Sequence, residues 1–259
     1  MKNNIELLLL ALLLITNTSF GQNLPKFVHV QGGTFTMGDE WGQGNKDQRP
    51  THEVMLKSFN ISQTEVTVAQ YRYYCNATGV AMPKEPSWGW QNNHPIVNIS
   101  WQDAINYTNW LSDKLGQKVR LPYEAEWEYA ARGGNKAKGY KYSGAKNITN
   151  VSWYDGNSNK KTNAVASKKA NELGLYDMSG NAFEWCMDKY GGDYYANSPK
   201  NNPMGATNGD ARVIRGGGWN LNATFSSVAF RYGSTFTGEL YEYFGFRVAS
   251  NKKITKQKN

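Results

Sequence analysis

Cysteine is nearly missing from this 259-residue chain, which carries only Cys75 and Cys186. Two thiols cannot supply a zinc cluster or a disulfide framework; they either form one bridge or stay as separate buried groups, and spacing alone gives no distance between them. Histidine is almost as scarce, and His29, His52 and His94 lie far apart without the H-x-x-x-H spacing of a helical metal site. Charged side chains make up only 19% of the residues. The formal charge of +8 looks like a nucleic-acid signal, but Lys252, Lys253, Lys256 and Lys258 supply half of it from the last nine residues. The body is mildly basic, with no dense interleaving of Lys, Arg and aromatics, so no nucleic-acid partner is expected.

One apolar run is present, from Ile5 to Ile15, after an early lysine and before small and polar residues. It is too short for a comfortable membrane span and reads as the core of a signal peptide over residues 1–21. The expected product is periplasmic or secreted, with no stable membrane span after cleavage. Residues 22–250 then form one domain and residues 251–259 a basic tail.

Aromatics and glycine are abundant instead: 9 Trp, 16 Tyr, 10 Phe and 26 Gly. This combination predicts a compact molecule in which large flat side chains hold tight turns and irregular backbone. Phe27 to Val30 and Thr34 to Met37 alternate around Gly32-Gly33, which predicts a hairpin. Val54, Leu56 and Phe59 mark a further sheet element. Thr67 caps a predicted short helix, and Ser100 with Asp103 forms a capping box for a second, which Gly116 stops. A third helix is expected from about Tyr123 to Arg132. Residues 82–95, with three prolines and two tryptophans, read as a loop pinned by rings, and residues 134–171 as a long ordered excursion. Short strands are expected at Val213 to Arg215, Val228 to Arg231 and Gly245 to Val248.

Glu124, Glu126, Glu128 and Arg132 resemble an acid cluster, but helical spacing separates their faces and Glu128 with Arg132 is an ordinary i,i+4 pair, so structural support is expected. Arg215, Arg231 and Arg247 either line a concavity or clamp local carboxylates.

Several ordered blocks carry a resemblance: Gly32-Gly33-Thr34-Phe35-Thr36-Met37-Gly38, Glu65-Val66-Thr67, the run from Arg120-Leu121-Pro122 to Arg132-Gly133-Gly134, Gly174 to Trp185, Arg215-Gly216-Gly217-Gly218-Trp219, and Gly245-Phe246-Arg247. Together they resemble the formylglycine-generating enzyme (sulfatase-modifying factor) family from about Val28 to Ser250. The resemblance implies an α+β fold, a mostly irregular variant of the C-type lectin fold. It also implies copper held by two cysteines in the C-terminal segment for oxidation of a sulfatase cysteine, since soft Cu(I) prefers thiolates. Matching the glycine block without a gap puts those positions at Leu221 and Ser226, and no cysteine follows Cys186. No copper is therefore expected, and formylglycine generation is not the expected activity.

The same resemblance implies a structural Ca2+ at Asp177, Gly180, Ala182 and Glu184, two carboxylates with intervening carbonyls on a tight turn. The alternative is that Asp177 caps a turn and Glu184 bonds to arginine or backbone. The expected function is an exported, non-catalytic scaffold that binds a protein, peptide or glycan through Trp219, Asn220, Asn222, Phe225, Arg231, Tyr232, Tyr241 and Tyr243, with Phe230, Phe236 and Phe244 nearby. Two other readings stay open. One is a metal-dependent oxidoreductase or protein-modifying enzyme, including a histidine-held iron site. The other is a diversified ligand-binding variable protein of a retroelement.

Overall fold

The computed structural model describes residues 24–235 and 241–252. The expected signal peptide, most of the lysine tail and Phe236 lie outside them. Among the described residues, nine strands form three sheets: β1 (Phe27–Val30), β4 (Phe59–Ser62) and β9 (Ala249–Ser250) in the order β1-β4-β9; β2 (Gly33–Met37) with β3 (His52–Leu56); and β5 (Phe183–Lys189), β6 (Arg212–Arg215), β7 (Arg231–Ser234) and β8 (Phe244–Gly245) in the order β7-β6-β5-β8. All pairings are antiparallel except β5 with β8. The expected hairpin is not formed: β1 pairs with β4, and β2 with β3. Gly32 is needed for a close crossing, because a Cβ there would sit 2.4 Å from the Leu56 carbonyl oxygen.

Helix α1 (Val68–Thr78) starts at Thr67, whose hydroxyl accepts from Gln70 N. Helix α2 (Trp101–Leu115) starts at the Ser100/Asp103 box and stops at left-handed Gly116. Helix α3 (Glu124–Ala131) is buried at all eight positions. It touches β2, β3, β5 and β6, so its three glutamates have no solvent face to occupy.

Two apolar clusters make the core. One gathers α1, α2 and the C-terminal Phe244, Phe246 and Val248; the other gathers β2, β3 and α3. Strand β5 lies between them: Phe183 and Trp185 enter the first, and Cys186 the second. This explains why β5 does not read as a strand in the sequence: both faces are buried, and Glu184 and Asp188 interrupt its apolar run.

The α+β expectation matches these elements, but its C-type lectin part is corrected. The disulfide-bonded loops of that fold are missing among the described residues. Cys75 and Cys186 are free, buried, and placed in different clusters. Burial pushes both thiols up, away from reactive thiolate.

Candidate functional site

Strand β6 ends at Arg215 and enters Gly216 and Gly217 at φ 96° and 78°. A Cβ on Gly217 would lie 2.7 Å from the Phe225 carbonyl oxygen, so the loop folds back on itself only with glycine here. The return path is a 3-10 turn, Ala223–Ser226, capped by the Asn222 side chain accepting from Thr224 N. Leu221 packs half-buried against the first core cluster. Ser226 is fully buried, its hydroxyl 3.5 Å from that of Ser152 while Ser179 Oγ donates to its carbonyl at 2.7 Å. The positions matched to the copper ligands thus hold an apolar side chain and a buried hydroxyl, and the chain lacks the cysteine pair that this chemistry needs.

Around this loop the structure gathers rings. Trp219 meets Trp88 edge-on at 5.2 Å and donates its Nε1–H to the Glu242 carbonyl at 2.7 Å. The Glu242 carboxylate accepts from Ser87 N and Ser87 Oγ, at 2.6 and 2.9 Å, which clips the tryptophan loop to the C-terminal segment. Tyr241 and Tyr243 are 5.2 Å apart, and burial, then neighbouring Tyr232, pushes the Tyr243 phenol up. Tyr232 is 52% exposed, and Asn220 and Asn222 are exposed on the adjoining turn. Phe225 is half-buried against Phe230, while Phe230 and Phe244 belong to the core. Ser87, Trp88 and Glu242 were missed in the sequence; only the paired tryptophans of their loop pointed there.

Arg231 stands apart from this face. Its guanidinium is buried, and Nε and Nη2 donate to both Glu124 oxygens at 2.7 and 2.9 Å. Arg215 reaches Glu124 at 3.5 Å and also pairs with Glu128, which Arg132 meets at 2.7 Å. Arg120 holds Glu126 through two 2.7 Å bonds. Burial opposes ionisation of Glu124, but Arg231 and Arg215 outweigh it and hold its carboxyl below the usual range. The acid cluster on α3 is therefore structural.

The calcium expectation is overturned. Arg247 donates Nε to Glu184 Oε2 at 2.6 Å and Nη2 to Oε1 at 2.7 Å, and Trp127 Nε1 donates to Oε2 at 2.6 Å. Glu184 has therefore spent its charge on a guanidinium. Asp177 Oδ2 accepts from Ala166 N at 2.7 Å. With Gly180 and Ala182 offering no side-chain donor, no group of three His, Cys, Asp or Glu residues able to hold a metal ion occurs among the described residues. Behind Asp177 lies Glu65, fully buried. Both Glu65 oxygens and Asp177 Oδ1 have no donor from any other described residue, so the only hydrogen bond open to them is one between the two carboxyls when one is protonated. Burial, then the neighbouring carboxylates, raises Glu65 well above its usual range, and burial pushes Asp177 up to about 6.

The sequence matches the sulfatase-modifying factor enzyme 1-like domain over residues 15–252. The chain belongs to this family. Within the sulfatase-modifying factor family it is 32% identical over 295 residues to the formylglycine-generating enzyme of Streptomyces coelicolor, covering 88% of this chain and 90% of that one. Among solved structures it is similar to PvdO from Pseudomonas aeruginosa, with TM-score 0.79 and 30% identity over 89% of this chain and 96% of that one. It is also similar to Treponema denticola variable protein 1, with TM-score 0.75 and 27% identity over 87% and 95% of the two chains. This sulfatase-modifying-factor-like chain keeps the family scaffold without the cysteine pair of canonical copper-dependent formylglycine generation.

Proposed function

We propose that the protein is an exported, non-catalytic family member whose ring-lined face, from Trp88 and Trp219 to Tyr232, Tyr241 and Tyr243, binds a protein, peptide or glycan. The observation that carries this reading is a retained scaffold with Leu221 and Ser226 at the copper positions beside a partly exposed group of rings. Rings held by core contacts offer contact area at little entropic cost. The N-terminal leader supports export, and no helix among the described residues is long and apolar enough to cross a membrane.

The test has two arms. A cysteine-containing sulfatase peptide is incubated with copper-loaded protein and read by mass spectrometry; the thiol is expected to survive, and an aldehyde product overturns the non-catalytic reading. Peptide and glycan arrays are then probed with wild type and with Trp219→Ala/Tyr243→Ala. Binding is expected to fall roughly tenfold or more, the range for losing central aromatic contacts. Hits that survive unchanged overturn the face.

The likeness to Treponema denticola variable protein 1 favours a second reading, a diversified ligand-binding protein whose variable residues lie between Asn220 and Phe244. A reverse transcriptase gene and an adenine-rich template copy beside the gene support it; their absence removes it.

A further inference from the structure

Away from the rings, four chain segments converge on a cavity of about 420 Å³: the β3–β4 turn, the segment between α2 and α3, the loop at 202–204, and residues 251–252 after β9. Its walls are tied by backbone. Arg120 N donates to the Ala249 carbonyl and Ala249 N to that of Arg120, at 2.9 and 2.7 Å. Met55 N donates to the Lys200 carbonyl at 2.7 Å, and Asn202 N to the Met55 carbonyl at 2.9 Å. The Asn202 side chain also accepts from Lys57 N at 2.9 Å.

The lining holds four cations, Lys57, Lys118, Arg120 and Lys252, against one carboxylate, Glu126. Arg120 neutralises Glu126 and donates as well to Asn251 and to the Leu121 carbonyl. Lys57, Lys118 and Lys252 have no carboxylate within 4.0 Å among the described residues. Three exposed lysines without an ion-pair partner among the described residues therefore line the groove. After Lys252 the sequence continues with Lys253, Lys256 and Lys258.

We propose that this groove is a second binding site, for a carboxylate-rich segment of a partner polypeptide. Lysine ammoniums are point charges on flexible stems and suit carboxylates arriving in varied geometry. A guanidinium fork suits carboxylate and phosphate alike, and the one arginine here is committed to Glu126, so it is the apolar wall beside the lysines that favours a peptide over a free phosphate. The ring that could stack a base, Tyr123, is covered by Arg120 at 4.6 Å. Leu56, Pro203 and Met204 supply an apolar wall for a side chain between the acids, and Met204, 63% exposed, is an adaptable rim residue.

The test is fluorescence anisotropy with the protein and a labelled octapeptide alternating Glu and Leu, beside the same peptide with Gln for Glu. The Glu peptide is expected to bind, and to weaken steeply as salt rises from 50 to 200 mM, about the range over which exposed charges become screened. Lys57→Glu/Lys118→Glu is expected to weaken binding roughly tenfold or more, with Lys146→Glu/Lys169→Glu within about twofold of wild type. Circular dichroism confirms the fold of each variant, and Lys252→Glu repeats the measurement with one exposed residue should the double variant unfold. Equal binding of the Gln peptide, wild-type affinity in the folded groove variants, or binding to phosphatidylglycerol vesicles without binding to the Glu peptide overturns the proposal. The array experiment on the rings reads a separate face, so either site can fail without the other.

Discussion

Around α3, Glu124, Glu126 and Glu128 each meet at least one guanidinium, whereas Glu65, Asp177 and Glu184 share Arg247. Burial alone would raise Glu124, Glu65 and Asp177 alike. What separates the groups is the local supply of positive charge: Glu124 is held below its usual range, while Glu65 and Asp177 are raised and have oxygens without donors. The first cluster fixes sheet to helix through ionised pairs. In the second, Glu65 and Asp177 favour their protonated forms. The same fold thus contains two charge clusters whose effects on stability run in opposite directions with pH.

Removing an arginine from the first cluster is the harshest way to break this contrast. Arg231→Met leaves Glu124 buried with the more distant Arg215 as its one guanidinium beside the Tyr195 hydroxyl, and is expected to cost about 3–5 kcal/mol or to prevent soluble expression, as stranding one partner of a buried pair does. Urea denaturation measures it. A loss of ligand binding at unchanged stability would instead return Arg231 to the binding face where the sequence reading put it.

In the second cluster the expected sign reverses. Asp177 has an ordinary value of 3.8 and is pushed to about 6 in the fold, so between these values the folded state holds a proton that the unfolded chain has released. Its contribution makes stability fall as pH rises through that window, and the cost is complete above it. Glu65 adds in the same direction. Glu124, held low, contributes stability that is present above its unfolded pKa and lost as pH falls through its folded one. Asp177→Asn is expected to stabilise the protein by about 1–3 kcal/mol at pH 8 and by little at pH 4, flattening the profile. Asn suits the left-handed backbone at φ 57°, and its amide oxygen can still accept from Ala166 N. Thermal melts from pH 4 to 8 check it; destabilisation at pH 8 would show that the Asp177 carboxylate is compensated.

The parts of this contrast that were readable in the sequence are the local ones. Thr67, Ser100 with Asp103, and Gly116 act within a few residues, and the structure places helix ends at each. The Glu128–Arg132 pair is likewise visible at i,i+4. Arg215 and Arg231, which meet Glu124 and Glu128, come from 87 to 107 residues away, set by the β6–β7 ladder, and no local period encodes them. Gly32-Gly33 looked like a turn because glycine serves a tight crossing as readily as a hairpin. For the site, the aromatic block and the missing copper ligands were readable. The burial of Arg231 and the Ser87–Glu242 clip depend on packing across the chain. Glu65 stood in the sequence between a polar loop and a helix cap with nothing to mark it as buried.

Calcium gives the smallest expected effect and the sharpest check on the second cluster. A site at Asp177 and Glu184 held at a hundred times its dissociation constant would add about 2.7 kcal/mol, which shifts the melting temperature of a domain this size by roughly 5–10 °C. To coordinate Glu184, the ion would first have to displace a guanidinium bonded to both carboxylate oxygens and break the Trp127 bond. That exchange strands Arg247, itself fully buried, beside a divalent charge. The expected difference between chelated protein and protein in millimolar calcium is therefore below about 1 °C at pH 7. A shift of several degrees that disappears in Asp177→Asn would mean that the cluster satisfies its carboxylates with an ion rather than with protons.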